Sequence, residues 1–342
     1  MIRTLSRAGL REFVAAHAHR LDADLTNPFA TSAWVLHFID TVARDDWRFH
    51  VGADLTLLYA EPSAPSRLRA LCNYYSSQFS PGAPGVDLAA LVRDLGNTRP
   101  SPATVDLAPM SEADADGCSA AFRAGGWLTR RYACFGNWTL PCAGLAFDDY
   151  MDSRPSQTVN TWTRKAKKFE GRHGNRLQLV TAPVDVAAAM QAYDAVYAKS
   201  WKQPEPYPGF VSGWALICAE RGWLRLGIAW SGDIPIAAQF WFTLGGRAFI
   251  FKLAYDEAYV KLSAGTVLSA FMFRQALDVD RVHEIDYLTG DDAYKKAWMT
   301  ERRERVGVIA CNPRTLRGAL QGAYEMAGTL RQQLRRPDVA TR

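Results

Sequence analysis

The stretch from Trp223 to Asp256 constrains the fold of this chain more than any other. Three apolar-rich runs, "WLRLGIAW" (223–230), "IPIAAQFWFTL" (234–244) and "RAFIFKLAYD" (247–256), are separated by "SGD" and "GG". Short glycine-bearing separators of this kind join antiparallel neighbours, so the three runs form a β-meander. Directly after it, Ser263, Ala264, Gly265 and Thr266 form a small polar loop ahead of a helix that is apolar on nearly every face. A strand–loop–helix unit either turns the chain or offers the N–H groups of the helix start to an anion. In the second case Gly265 lets a phosphate approach the backbone, and Ser263 and Thr266 add hydroxyl donors. In the first, Ser263 caps the helix and Gly265 eases the turn.

The rest of the chain supplies the frame. Segments 27–43, 87–95 and 111–125 have helical periodicity, with Trp34, Phe38 and Val42 on one face of the first. Segment 47–60 alternates apolar and polar positions, and "WLTRRYACFGNWTL" (127–140) reads as a strand pair around a Gly-Asn turn. Further on, Ser156 is placed to cap a basic helix that runs to Gly171, "LQLVT" is a strand, and 184–201 is a helix. After the meander, loop and helix comes a short strand, "HEIDYL" (283–288), then "TGDDAYKKAW". The expectation is an α/β chain with domains at 1–150 and 151–311, followed by a basic amphipathic helix and tail over 312–342.

Composition excludes several classes. With 48% hydrophobic and 22% charged residues the chain belongs with folded proteins. A net charge of +5 suits small anionic partners and is too weak to argue for DNA. Six cysteines lack a Cys-x-x-Cys pair and six histidines lack metal-ligand spacing, so no metal is expected. The Gly-x-Ser-x-Gly, Walker and Gly-x-Gly-x-x-Gly patterns are absent too. No apolar run approaches the roughly 20 residues of a membrane span, and the start does not read as a signal peptide. A cytoplasmic protein with reduced thiols is expected.

From about residue 145 to 310 the chain resembles the FemAB-like, CelD-type branch of the GNAT acyltransferase superfamily. The residues that carry the resemblance are "FDDYMDSRPSQTVNTWTRKAKK", "AKSWKQPEP", "KLAYDEAYVKLSAGTVL" and above all "IDYLTGDDAYKKAW". The loop departs from the frequent Ser-Pro-Gly-Thr form by having Ala264, and Lys261 stands near the family's basic position. The resemblance implies two tandem GNAT-like domains, each a mixed, mostly antiparallel sheet flanked by helices, with the acyl-donor cleft in the second.

It also implies an N-acyltransferase that moves an acyl group, acetyl foremost, from CoA to an amine. The acceptor would be an amino sugar or similar small molecule of bacterial exopolysaccharide or secondary metabolism, and no cofactor would be permanently bound. An acyl carrier protein is an alternative donor; an aminoacyl-tRNA-dependent transferase and a non-catalytic binding protein are rival readings. On the donor side the resemblance places Lys252, Tyr255, Ser263, Gly265, Thr266 and Lys295.

Asp286, alone among apolar neighbours, is either a paired structural carboxylate or a general base. Tyr294 would be the acid toward the departing thiolate. Arg164 and Lys168 of the basic helix, Trp201 and Lys202 of the "SWKQPEP" lid, and Asp291 are the candidates for contacting substrate. Solvation of the basic helix and plain packing of Trp201 explain those features as well.

Overall fold

A computed structural model describes residues 1–335. In chain order the first elements are β1 (Arg3–Leu5), α1 (Arg7–Ala16), α2 (Ala18–Leu21), α3 (Ser32–Thr41), β2 (Arg48–Val51), β3 (Leu57–Ala60), β4 (Arg67–Ala70), α4 (Leu88–Asn97), β5 (Thr104–Met110), α5 (Glu112–Ala124) and β6 (Leu128–Pro141). There follow α6 (Phe147–Asp152), α7 (Ser156–Glu170), β7 (Asn175–Val180), α8 (Val186–Tyr197), α9 (Phe210–Glu220), β8 (Leu224–Ser231), β9 (Ile234–Leu244), β10 (Arg247–Tyr255), α10 (Ala264–Arg274), β11 (Glu284–Asp286) and α11 (Lys295–Trp298). The last elements among the described residues are β12 (Glu301–Cys311) and α12 (Leu316–Arg335). Among the described residues no helix is long and apolar enough to cross a membrane.

The chain divides into two compact units, residues 1–135 with 304–342, and residues 136–303. Residues 136–150, read from sequence with the N-terminal domain, therefore fall in the second unit, and the C-terminal helix falls in the first. Both units repeat one order: a strand, helices, three strands, a helix and a fifth strand. In the first unit β1, β2, β3 and β4 pair antiparallel in turn, and β4 pairs parallel with β5. In the second, β7, β8, β9 and β10 pair antiparallel in turn, and β10 pairs parallel with β11. The fifth strand then takes an antiparallel neighbour, β12 for β5 and the end of β6 for β11. These are the two tandem GNAT-like sheets expected from the resemblance.

The meander lies where its hairpin turns put it, and β9 spans Ile234–Leu244 as read. Its helix α10 is almost wholly buried against the sheet, and Gly227 of β8 makes room for it. A Cβ there would stand 2.5 Å from Met272 Sδ, so only glycine lets the helix seat this closely. Around it, Trp241, Leu268, Phe273 and Trp298 form the core of the second unit, with Trp162 of α7 packed on its margin.

Two local readings are corrected. Residues 128–141 form one continuous strand and contain no Gly-Asn hairpin. Gly136 leaves room for the Arg302 guanidinium, which a Cβ would meet at 2.7–2.8 Å, while Asn137 is fully buried and bonded. These non-local demands override the turn propensity of the pair. Second, α7 begins at Ser156 with Pro155 in the cap position and no side-chain cap bond, so Ser156 is the first helical residue. A fixed proline φ followed directly by the helix accounts for the shift.

Candidate active site

The loop between β10 and α10 is a 3-10 turn, Glu257–Leu262. Asp256, buried at the end of β10, caps it by accepting from the Ala258 N–H at 2.9 Å. Ser263 then starts α10 with φ +50° and ψ +39°, a left-handed conformation that costs an L residue about 1–2 kcal/mol. In that conformation its hydroxyl does not cap the helix. The amides of Ala264, Gly265 and Thr266 thus occupy the first turn, where N–H groups lack an intrahelical acceptor and carry the positive end of the helix dipole.

The corresponding helix of the first unit is built differently. At α4 the Asp87 carboxylate accepts from the Ala90 N–H at 3.0 Å and fills the helix start with its own negative charge. In the second unit no side chain caps the corresponding helix start.

Buried Gln239, in mid-β9, holds the open turn in place. Its Nε2 donates to Gly265 O at 3.2 Å and to Ser269 Oγ at 2.7 Å, and its Oε1 accepts from Trp241 Nε1 at 2.9 Å. Sequence reasoning passed over Gln239, although a lone amide inside "IPIAAQFWFTL" is the kind of signal that marks a buried polar contact. Basic groups flank the same turn. Lys165 of α7 donates to Lys261 O at 3.0 Å, which brings the basic helix to the turn before α10. Arg164 and Lys168, one helical turn apart, are exposed, as is Lys261.

Next to the turn the sheet opens. The ladder between β10 and β11 joins Arg247–Phe249 to Glu284–Asp286 and ends there, while β10 runs on to Tyr255. The register with β9 slips between Ile250 and Lys252, a bulge that bends the strand at Phe251. Tyr255 ends β10 beside this opening. Its ring lies 4.7 Å from that of Trp201, and a Cβ added at Gly265 would meet its Cδ1 at 3.4 Å. The structure therefore brings Trp201, Tyr255, Ser263, Gly265 and Thr266 together.

A cleft of about 510 Å³ opens between α8, α9 and the loop joining them, with Tyr193, Tyr197, Lys202, Glu205 and Tyr207 on its walls. Glu205 pairs with Lys252 at 2.8 Å. Burial lowers the basicity of Lys252 despite that carboxylate. Lys202 sits 5.8 Å from the Trp201 ring centre, and burial, reinforced by the charge of Lys252, brings its pKa down to about 8. Lys252 is thus ion-paired to a wall residue of this cleft. Glu205 was not singled out from the sequence.

The motif around Asp286 is an anchored corner. Asp286 is 1% exposed. Its Oδ1 accepts from Asn137 Nδ2 at 2.6 Å and from the Leu288 N–H at 2.7 Å, and its Oδ2 faces Arg247 at 3.2 Å. With both oxygens engaged, the carboxylate ties β11 to β6 and β10, and its geometry is that of a positioning group more than of a free proton acceptor. Neither Asn137 nor Arg247 was foreseen, because each lies far from Asp286 in sequence.

Lys295 does not fill the phosphate-binding place expected for it. Its Nζ donates to Thr289 O at 2.6 Å and to Gly290 O at 3.1 Å, and it lies 3.4 Å from Asp292. The residue is 3% exposed, so its charge is spent inside its own loop. Asp291 likewise accepts from Trp138 Nε1 at 2.7 Å and from Arg302 at 2.7 and 2.9 Å. Those hydrogen bonds, that of Arg302 first, hold its pKa below the usual carboxylate value. Tyr294 remains reachable at 45% exposed, with its ring set edge-on to Tyr287 at 5.8 Å. Burial of its packed side and the Asp292 charge push its hydroxyl up to about 12, so it carries its proton at neutral pH.

Residues 156–296 match the Acetyltransferase (GNAT) domain family. No curated protein sequence matches the chain. Among solved structures the fold is similar to FemX, with TM-score 0.57 and 11% identity over 95% of this chain and all of that one. A conserved protein of unknown function from Bacteroides thetaiotaomicron gives TM-score 0.58 and 13% identity over 91% of this chain and all of that one. The C-terminal domain of a putative lysylphosphatidylglycerol synthetase from Agrobacterium fabrum gives 0.54 and 10% over 93% and 97%. The resemblance read from the sequence is met by the family match over 156–296 and by the fold of the whole.

Proposed function

From a chain whose second unit carries a GNAT acyltransferase domain within a FemX-like fold, we propose an N-acyltransferase that takes its acyl group from acyl-CoA. The acceptor is the amine of a small or sugar-linked molecule. The observation that carries this reading is the open start of α10, where three first-turn amides stand beside Lys261 and the basic face of α7. A pyrophosphate fits such a place, since backbone donors and the helix dipole both favour an anion. The thioester arm then follows the gap where the β10–β11 ladder ends, and the amine approaches from the cleft lined by Lys202 and the tyrosines.

In this reading the neutral amine attacks the thioester carbonyl, the C–N bond forms, and the C–S bond breaks. Tyr294 gives its proton to the departing thiolate. Lys202, about half neutral near pH 8, is the cleft side chain suited to receive the proton of the amine. Asp286 acts through Arg247 and the Leu288 backbone, shaping the corner from which Tyr294 projects.

The test is thermal unfolding with acetyl-CoA, longer acyl-CoAs and free CoA, for the wild type and Gly265→Glu. A ligand bound to the native state alone at 100 times its Kd adds about 2.7 kcal/mol. A rise for the wild type that disappears in Gly265→Glu is expected. No rise with any CoA overturns the proposal.

A second reading keeps the same catalytic corner and replaces CoA by a charged tRNA. The exposed pair Arg164 and Lys168 favours it, since such a stripe can track a nucleic-acid backbone. Binding of aminoacyl-tRNA that weakens steeply with salt, and in Arg164→Glu, would select this donor.

A further inference from the structure

The helix α12 is built with its faces reversed relative to an ordinary surface helix. Its inner side is glycine: a Cβ on Gly318 would stand 2.2 Å from Asn312 O, and one on Gly322 would stand 2.5 Å from Leu128 Cδ1. The pair of Arg130 with Glu325 fastens the same side. On the outer side Leu316, Leu320 and Tyr324 recur every four residues and are 77%, 64% and 72% exposed. Ala323 and Ala327 continue that exposed stripe. A helix seated through glycines, with its large apolar side chains turned away from the protein, is arranged to bury them in something else.

Charge identifies what that is. Residues 312–342 contain six arginines and two acidic residues, a net +4 out of the chain's +5. A second copy apposed on the same face would bring two such charges together, whereas an anionic surface would neutralise them. We propose that α12 docks the protein on a lipid surface bearing anionic headgroups, with the Leu316–Leu320–Tyr324 stripe in the acyl boundary and exposed Arg314 and Arg317 toward the phosphates, the net positive charge of 312–342 adding to the attraction. Apolar burial and headgroup attraction add in such binding, and neither alone holds a protein firmly. The catalytic unit is thereby held at a membrane surface by a helix that lies on the bilayer and does not cross it.

Flotation of the full chain with vesicles of phosphatidylglycerol mixed into phosphatidylcholine tests this, with phosphatidylcholine alone as the comparison. The wild type is expected to float with the anionic vesicles and to partition at least about tenfold more weakly onto neutral ones or at high salt. The double variant Leu320→Glu/Tyr324→Glu is expected to stay in the soluble fraction. Leu320→Ser/Tyr324→Ser, which adds no charge, separates loss of the apolar stripe from charge repulsion and is expected to lose most binding. Both side chains point outward, so melting should match the wild type. A wild type that ignores anionic vesicles, or a serine variant that floats as well as the wild type, overturns the proposal. So does sedimentation showing a dimer that the serine variant abolishes.

Discussion

Asp286 offers the sharpest discrimination between an anchor and a proton acceptor. Replacement by alanine removes the acceptor shared by Asn137 Nδ2 and the Leu288 N–H, at 2.6 and 2.7 Å, and the carboxylate facing Arg247 at 3.2 Å. Breaking a buried charged network from one side costs about 3–5 kcal/mol, because the remaining donors stay desolvated and unsatisfied. Arg247 retains Glu284, which argues for the lower half of that range. For a unit of this size that is a fall in Tm of about 6–16 °C. Asp286→Asn keeps one carbonyl for Asn137 and Leu288 and turns an amide toward Arg247, so it should cost only about 1–3 kcal/mol. Urea or thermal unfolding of both variants, followed by tyrosine and tryptophan fluorescence, measures the ladder wild type > Asn > Ala. If Asp286→Ala instead unfolds within about 0.5 kcal/mol of the wild type, as a surface substitution would, the anchor argument is refuted. A base role would then regain its standing.

Lys202 has a pKa lowered from 10.5 to about 8, so between those values the unfolded chain binds the proton and the native chain does not. Stability should therefore rise with pH from about 8 to 10.5 relative to Lys202→Met, and below pH 8 the methionine variant should be the more stable, as pH-dependent urea unfolding of the pair will show. Lys295→Met strips two carbonyls of their donor and should destabilise by about 2–4 kcal/mol while leaving acyl-CoA affinity unchanged in calorimetry at a temperature where it is folded. Ser263→Asp imitates the capped helix of the first unit. It should leave melting unchanged or raise it by up to about 1 kcal/mol, and it should abolish donor binding by placing a carboxylate where the phosphate belongs.

What could be read from the sequence was local. The glycine separators and alternating runs gave the meander, and the apolar helix behind Ser263 gave its buried partner. What could not be read was held by distant partners. The Gly-Asn pair at 136–137 obeys a strong hairpin rule, yet Arg302 and Asp286, more than a hundred residues away, claim both positions. Lys295 looked like a phosphate ligand because its motif holds acidic and basic residues in a glycine loop. That same crowding lets the loop consume its charge. Of the residues singled out from sequence, those chosen for backbone geometry lie at the start of α10. Those resting on a long side chain were open to capture by a neighbour.

The doubling of the fold sharpens this point. Both units present a parallel fourth-to-fifth strand pair and a helix that follows the fourth strand. Such a helix start is an anion site only if nothing of the chain's own occupies it. In the first unit Asp87 does, so its own carboxylate fills the start of α4. In the second, Ser263 takes up left-handed backbone and makes no side-chain cap bond, at a cost that a capping serine would have avoided. A strained residue at an uncapped helix start, with Gln239 beneath it and lysines beside it, gives up stability that a capping residue would have kept. The difference between the two helix starts, more than the fold they share, is what the proposed donor site rests on.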